Sequence, residues 1–463
     1  MNLRLYNTLN NKIEDFKEIK KGKIGLYTCG PTVYDFAHIG NFRSYVFEDL
    51  FKRYLIYFGY NVKHIMNITD IDDKTIKKSN ELGVDINEIT EKYLKAFFKD
   101  IKTLNILKAD IYPKATEHIK EMVELIEKLE NKEYAYKKEN SVYFNIEKFK
   151  GYGKLANILK ENLKTGVSVD SDEYDKENVQ DFVLWKGKKE DEPYWKTKYG
   201  EGRPGWHIEC SAMSMKYLGN HFDIHMGGVD NIFPHHENEI AQAECATGEK
   251  FVNFWIHCQH LIVNNQKMSK SLGNYYTLED LIQKGYKPMA IRYLLLSTHY
   301  RKTLNFTFEG LERAIHSLNR INDFTFSLKG LKSIKGESED ISNIIKQNET
   351  RFRENMNNDL NISGALGVFF DFLHQINLKL KELKAKDIEN VLAYIKRINS
   401  VIGIIKEEKS IPLEDEIENK IKIRENARKT KDYKLADSIR EELKEKGIIL
   451  IDTSDGVRWK SVK

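Results

Sequence analysis

The sequence predicts an α/β protein: a parallel sheet with crossover helices, interrupted by an inserted segment, then a helical bundle and a small mixed α/β domain. Three observations predict it. Strand-like and helix-like segments alternate over residues 23–68. The apolar pattern changes over residues 113–204. From residue 311 the chain turns helical and highly charged.

The elements follow in order. Lys23-Ile24-Gly25-Leu26-Tyr27-Thr28 reads as a buried strand. Ser44 to Tyr57 is apolar at helical spacing, and Asn61 to Ile68 is a second strand. Strand, helix and strand at this spacing make a parallel unit with a right-handed crossover. A ligand would bind at the carboxyl ends of its strands. This assigns residues 1–112 to the first half of a core. Over 113–204, Ile119 to Leu129 is helical, and Tyr134–Tyr136 and Ser141–Phe144 alternate like a hairpin. Lys186 to Pro193 reads as a charged loop, and the whole stretch as an insertion. The core resumes over 205–310. Within 311–405, Leu311–Leu328 and Ser363–Leu383 carry apolar residues at i, i+3 and i+4. Gly330–Glu339 reads as an exposed linker, and residues 387–405 add a helix. In 406–463, two short helices run into a hairpin formed by Gly447–Asp452 and Gly456–Trp459.

Composition bounds the answer. At 463 residues the chain is too long for one core. Lys+Arg 74 against Asp+Glu 70 leaves a net charge of +4, too small by itself to point to nucleic acid, though a basic face could exist locally. No apolar run reaches the eighteen or so residues of a membrane span, and Met1–Asn10 lacks a signal-peptide core. The four cysteines, Cys29, Cys210, Cys245 and Cys258, form no CxxC pair, so a zinc finger is not expected. With no disulfide pattern they fit a reducing cytoplasm. Nothing suggests an obligate dimer, so a monomer is expected.

Two distant motifs carry the chemistry. Pro31-Thr32-Val33-Tyr34-Asp35-Phe36-Ala37-His38-Ile39-Gly40-Asn41 stands where a strand hands over to a helix, whose first N–H groups can meet phosphate oxygens. Lys267-Met268-Ser269-Lys270-Ser271 puts two lysines in a flexible stretch, where they can follow charge building on a leaving pyrophosphate. A third constellation suits a metal. Should Pro234 start a helix, His235 and Glu239 share a face at i and i+4. With Cys29 and Cys210 they make four N, O and S donors of the kind a tetrahedral Zn²⁺ site uses. A buried cysteine is otherwise a small hydrophobe, the reading given to Cys245 and Cys258.

The two motifs resemble the HIGH and KMSKS signatures of class I aminoacyl-tRNA synthetases. Cys29–Asp35, Gly205–Met213 (GWHIECSAM) and Phe233–Glu239 (FPHHENE) resemble the cysteinyl-tRNA synthetases in particular. The resemblance covers nearly the whole chain. It implies a Rossmann-type catalytic core with a connective insertion, a helical bundle and an anticodon-binding C-terminal domain. It implies one zinc per subunit held by Cys29, Cys210, His235 and Glu239, recognising the substrate thiol. It assigns His38, Asn41, Lys267 and Lys270 to catalysis. His38, Asn41, Gly228, Asp230 and Lys270 would bind ATP, accompanied by Mg²⁺. Thr69 and Trp206 would line the cysteine pocket. Asp437, Arg440 and Trp459 would read the anticodon. Asn41 departs from the family's final histidine and cannot carry charge. Thr197-Lys198-Tyr199-Gly200 departs from its usual Ser-Pro-Trp-Gly-like turn.

The metal fits a chemical need. Cysteine and serine differ by one atom, and packing discriminates near-isosteres poorly. Zinc prefers a soft thiolate. The substrate sulfur could enter as a fifth ligand, or Glu239 could loosen. The implied reaction makes cysteinyl-adenylate from L-cysteine and ATP, then transfers cysteine to the terminal ribose of tRNA(Cys). Two alternatives share this core: a cysteine:amino-sugar ligase using the same adenylate chemistry, and a non-catalytic zinc- or tRNA-binding relative.

Overall fold

A computed structural model describes residues 2–158, 181–331, 333–405, 415–445, 448–453 and 456–461. The chain divides into two compact units. One comprises Met1–Phe324 with Lys335–Ile405, and the other Thr325–Ile334 with Lys406–Lys463.

The first unit opens with an antiparallel pair, β1 (Arg4–Asn7) and β2 (Lys12–Asp15). The core begins with β3 (Lys23–Thr28), α1 (Ile39–Phe58) and β4 (Asn61–Met66). β3 and β4 are parallel, paired from Lys23–Asn61 to Thr28–Met66. Helix α1 starts five residues earlier than its apolar spacing predicts, because His38 and Asn41 cap it reciprocally. It ends at Gly59, whose φ of 108° suits a residue without Cβ. Two helices follow, α2 (Asp73–Leu82) and α3 (Ile86–Thr103).

The insertion contributes α4 (Ile119–Asn131), β5 (Ala135–Lys138), β6 (Ser141–Phe144), β7 (Phe182–Gly187), β8 (Trp195–Thr197) and β9 (Gly200–Pro204). Its strands form an antiparallel sheet in the order β5-β6-β7-β9-β8. The charged loop expected from Lys186 begins later than predicted: Lys186 and Gly187 complete β7. The reason is an ion pair. Lys186 and Arg203, both almost fully buried, converge on Asp73 at 2.6 and 2.5 Å. Asp73 is the first residue of α2, so the insertion is fastened to the segment that follows β4.

The second half of the core runs α5 (Trp206–Leu218), β10 (Phe222–Gly228), α6 (Glu237–Thr247) and β11 (Val252–Cys258). The parallel sheet has the order β11-β10-β3-β4. The chain leaves β3 toward β4 on one side and returns through β10 on the other. The crevice between the carboxyl ends of β3 and β10 is therefore a topological switch point, where open α/β sheets bind ligands. Next come β12 (Leu261–Val263), β13 (Gln266–Lys267), α7 (Leu278–Gln283), α8 (Pro288–Leu296) and β14 (Leu304–Phe306).

Four long helices follow: α9 (Phe308–Lys329), α10 (Glu339–Asn357), α11 (Ile362–Leu378) and α12 (Ala385–Ile402). The sequence reading does not name α10, whose buried face mixes Ile341, Ile344, Phe352 and Met356 with Asn348. The second unit contains α13 (Asp415–Lys429), α14 (Tyr433–Glu445) and the antiparallel hairpin β15 (Ile448–Thr453) and β16 (Gly456–Ser461). Its small core holds Ile439, Leu443, Ile448 and Leu450. Gly447, expected to open the hairpin, lies outside the described residues. No helix among the described residues is long and apolar enough to cross a membrane.

Candidate active site and metal centre

Four of the expected donors meet at the switch point. Cys29 follows β3, Cys210 lies on α5, and His235 and Glu239 bracket the start of α6. One ligand atom from each lies within 4.8 Å of all the others. His235 Nε2 stands 3.1 Å from Glu239 Oε1, which makes no hydrogen bond of good geometry although it is buried. A buried carboxylate oxygen left without a hydrogen bond, facing two thiols and an imidazole, suits a divalent cation. Two sulfur donors favour zinc over harder ions.

The protons agree. Burial would raise the Cys210 thiol, but hydrogen bonds from Cys29 and His235 hold it below the ordinary thiol range. Cys29 goes the other way, pushed up by its hydrogen bond to Cys210 and by burial. Burial would lower His235, but Cys210 and Glu239 raise it to about 10. The cluster thus already holds a thiolate and a carboxylate, two of the deprotonated donors a metal needs, while the His235 proton is the one a bound metal would displace.

A shell of histidines orients these donors, and sequence reasoning missed it. Cys29 and Glu239 also group with His225 and His236 as a second possible donor set. Those two are already engaged. His236 Nε2 is 3.2 Å from Cys29 Sγ, and its Nδ1 is 2.8 Å from His257 Nε2. His257 Nδ1 in turn meets Thr8 Oγ1 at 2.7 Å. His225 Nε2 holds Glu239 Oε2 at 3.0 Å. His207 Nδ1 lies 2.9 Å from His235 Nδ1, which turns Nε2 of His235 toward Cys210 and Glu239. Such partners fix ligand orientation. The signals available were the doubled His235-His236 and His207 beside Trp206 in the Gly205–Met213 segment; His225 and His257 arrive from β10 and β11, and Thr8 from just past β1.

The cysteine-pocket candidates stand beside the cluster. The Trp206 indole stacks on the His235 ring with centroids 4.3 Å apart. Thr69 donates to Glu209 Oε2 at 2.9 Å and accepts from Asn67 Nδ2 at 3.2 Å. Asn67 Oδ1 also receives the Gly30 N–H at 2.9 Å. A Cβ on Gly30 would lie 1.7 Å from the Asn67 carbonyl oxygen, so this approach demands glycine.

The nucleotide candidates gather at the N-terminus of α1. His38 Nδ1 accepts the Asn41 N–H at 3.2 Å, and Asn41 Oδ1 accepts the His38 N–H at 3.1 Å. Burial lowers the pKa of His38, so its ring is neutral near pH 7. With Nδ1 accepting, the proton sits on Nε2 and can be donated. Asn41 is therefore first a cap; its Nδ2 has no protein partner among the described residues. Asp230 is exposed just past β10, and its charge reaches His38. Gly228 is packed so closely that a Cβ would lie 2.3 Å from Asp230 Oδ1.

The lysine loop follows β13, with Lys267 and Lys270 both exposed. It is braced within itself: Asn274 Oδ1 accepts the Ser269 N–H at 2.8 Å, and Asn274 Nδ2 donates to Lys267 O at 3.1 Å. Backbone contacts tie its far end to α1, Ile39 N–H donating to Tyr276 O at 3.0 Å. In the second unit, Asp437 and Arg440 are exposed on α14. Trp459 pairs with Leu450 across the hairpin; its side chain lies outside what is described.

Comparison with known proteins gives consistent results. Residues 15–316 match the family model for the class I tRNA synthetase (C) catalytic domain, and residues 351–406 match the DALR domain. The cysteine–tRNA ligase of Brachyspira hyodysenteriae is 51% identical over 98% of both chains. That of Protochlamydia amoebophila is 45% identical over 99% of this chain and 98% of its own. Mycobacterium tuberculosis methionyl-tRNA synthetase, solved with methionyl-adenylate, shares the fold with a TM-score of 0.61 at 15% identity, covering 82% of this chain and 88% of that one. Agrobacterium radiobacter LeuRS, in a ternary complex, gives a TM-score of 0.60 at 10% identity, covering 84% and 85%.

Proposed function

The chain belongs to the cysteine–tRNA ligases of the class I aminoacyl-tRNA synthetases, and from that premise we propose how its own residues divide the work. Its substrates are cysteine, ATP and tRNA. The observation that carries the proposal is the stacking of Trp206 on His235, which puts a pocket wall directly against a candidate metal ligand.

Cys29, Cys210, His235 and Glu239 hold Zn²⁺, which when bound supplies a Lewis-acidic, sulfur-seeking partner for the substrate thiol. Trp206 and Thr69 close around the cysteine, and Glu209 fixes the Thr69 hydroxyl. The substrate carboxylate is already ionised, so its attack on the α-phosphate needs no general base. Catalysis is then positioning and electrostatics. His38 donates from Nε2 to the ATP phosphates, while Asn41 holds the ring in place and presents its Nδ2. Gly228 and Asp230 receive the nucleoside. Lys267 and Lys270 neutralise charge on the departing pyrophosphate. Mg²⁺ accompanies ATP as a counter-charge. Residues 406–463, with Asp437, Arg440 and Trp459 among them, bind the anticodon of tRNA(Cys). The enzyme works as a cytoplasmic monomer.

ATP–pyrophosphate exchange across the twenty amino acids, with metal analysis of the same sample, tests this reading. Exchange with cysteine alone and about one zinc per chain is expected. Cys210→Ser should lose zinc and raise the KM for cysteine at least tenfold, about 1.4 kcal/mol or more, with ATP binding little changed. Cysteine affinity that survives complete zinc removal would end the thiol–metal account.

A further inference from the structure

Lys270 lies in an exposed loop, yet its ammonium is held. Nζ is 2.5 Å from Asp35 Oδ2 and 5.1 Å from the centre of the Tyr275 ring. Asp35 belongs to the segment joining β3 to α1, three residues before the capping His38. Tyr275 completes the clasp. Its hydroxyl donates to Phe36 O at 3.3 Å, and its ring stands edge-on to His38 at 5.1 Å. The lysine is thus carried to the N-terminus of α1, where the nucleotide candidates gather.

Of these contacts, only the one to Asp35 sets charge against charge. The Lys270 side chain keeps 65% of its exposure and Asp35 keeps 22%. A pair so open to solvent is weak and exchangeable. A triphosphate at a helix N-terminus offers several anionic oxygens to the same ammonium. Asp35 and those oxygens therefore want the same cation.

We propose that Asp35 is a positioning residue: its carboxylate and the phosphates of ATP compete for Lys270, so Asp35 sets where the lysine waits and how readily it moves onto the nucleotide. This rests on Lys270 being the phosphate-contacting lysine of the loop. Cysteine-dependent exchange by the unmodified enzyme, and its slower but measurable rate in Lys270→Ala, test that premise separately.

The direction of the effect separates competition from a merely structural role. Asp35→Asn keeps the shape and removes the charge. It should lower the KM for ATP in pyrophosphate exchange by about two- to fivefold, the range of an exposed pair. A structural lesion would raise that KM. Because Asp35 acts through Lys270, the same change in a Lys270→Ala background should leave the KM for ATP unaltered. Acylation of Lys270 by an amine-directed reagent in nucleotide-free enzyme, followed peptide by peptide, gives a readout without turnover. Asp35→Asn should speed modification at Lys270 while other lysines react at their original rates, and Asp35→Glu should restore protection. The proposal is overturned by a KM for ATP that is unchanged or raised in Asp35→Asn, by an equal effect with and without Lys270, or by unaltered Lys270 reactivity.

Discussion

Glu48 shows how much one buried carboxyl can cost. It lies on α1 beneath the switch point, fully buried, and neither oxygen makes a hydrogen bond of good geometry. Burial pushes it up to about 8 from an ordinary 4.5, with the Thr28 hydroxyl only partly offsetting. The unfolded chain releases this proton above pH 4.5, whereas the folded chain keeps it. The stability this group contributes is therefore complete below pH 4.5 and is lost as pH rises toward 8. At pH 7 that loss is on the order of 3 kcal/mol, at about 1.4 kcal/mol per pH unit. Glu48→Gln cannot ionise. It should raise the urea midpoint at pH 7 by the equivalent of about 1–3 kcal/mol and gain little at pH 4.5. A loss of stability at pH 7 would mean that Glu48 is charged and partnered in the fold.

At the scale of elements, α1 links the site to the helices behind it. Asp49, buried on α1, accepts from Arg53 Nε at 2.8 Å, Arg292 Nη2 at 2.5 Å and the Leu107 N–H at 2.8 Å. Arg292, on α8, also donates to Ile402 O at 3.0 Å at the end of α12 and to Leu104 O at 3.0 Å. Removing one partner from a buried ion network strands the others, at about 3–5 kcal/mol. Asp49→Asn should approach that cost in chemical denaturation. A cost under about 1 kcal/mol would show that backbone carbonyls alone satisfy both guanidinium groups. None of this was legible in the sequence, where Asp49 and Arg53 look like a helix-surface pair. Apolar patterning located β3, α1, β4 and α4: α4 buries one regular face, whereas α1 is buried all round from Tyr45 to Leu55. It missed α10, where Asn348 interrupts the stripe, and it did not name β7, whose last residues it took for a charged loop because Lys186 is buried by an ion pair rather than by hydrophobicity. The site divides the same way. Cys29, Cys210, His235 and Glu239 sit in compact motifs and could be read; His207 shares the motif of Cys210 but its role was missed, and Thr8, His225 and His257 could not be read, because only the sheet order brings them to the site.

At the scale of the whole molecule, every residue assigned here to zinc, cysteine and ATP falls within the unit made of Met1–Phe324 and Lys335–Ile405. The pocket candidates come from both halves of the core, with the insertion fastened at Asp73 by Lys186 and Arg203. The second unit has its own small core of Ile439, Leu443, Ile448 and Leu450 and contributes no candidate to the adenylation chemistry. The two steps of the reaction should then separate. Ending the chain at Ile405 should leave cysteine-dependent pyrophosphate exchange within about threefold of the full chain, a change under 1 kcal/mol. It should reduce charging of tRNA(Cys) by at least tenfold, because the contacts that unpaired anticodon bases would make are gone. Arg440→Ala in the intact chain should move charging in the same direction and leave exchange alone. Measured side by side, exchange and charging that fall together would mean that the C-terminal unit supports the catalytic core itself, and the division of labour proposed for Asp437, Arg440 and Trp459 would have to be given up.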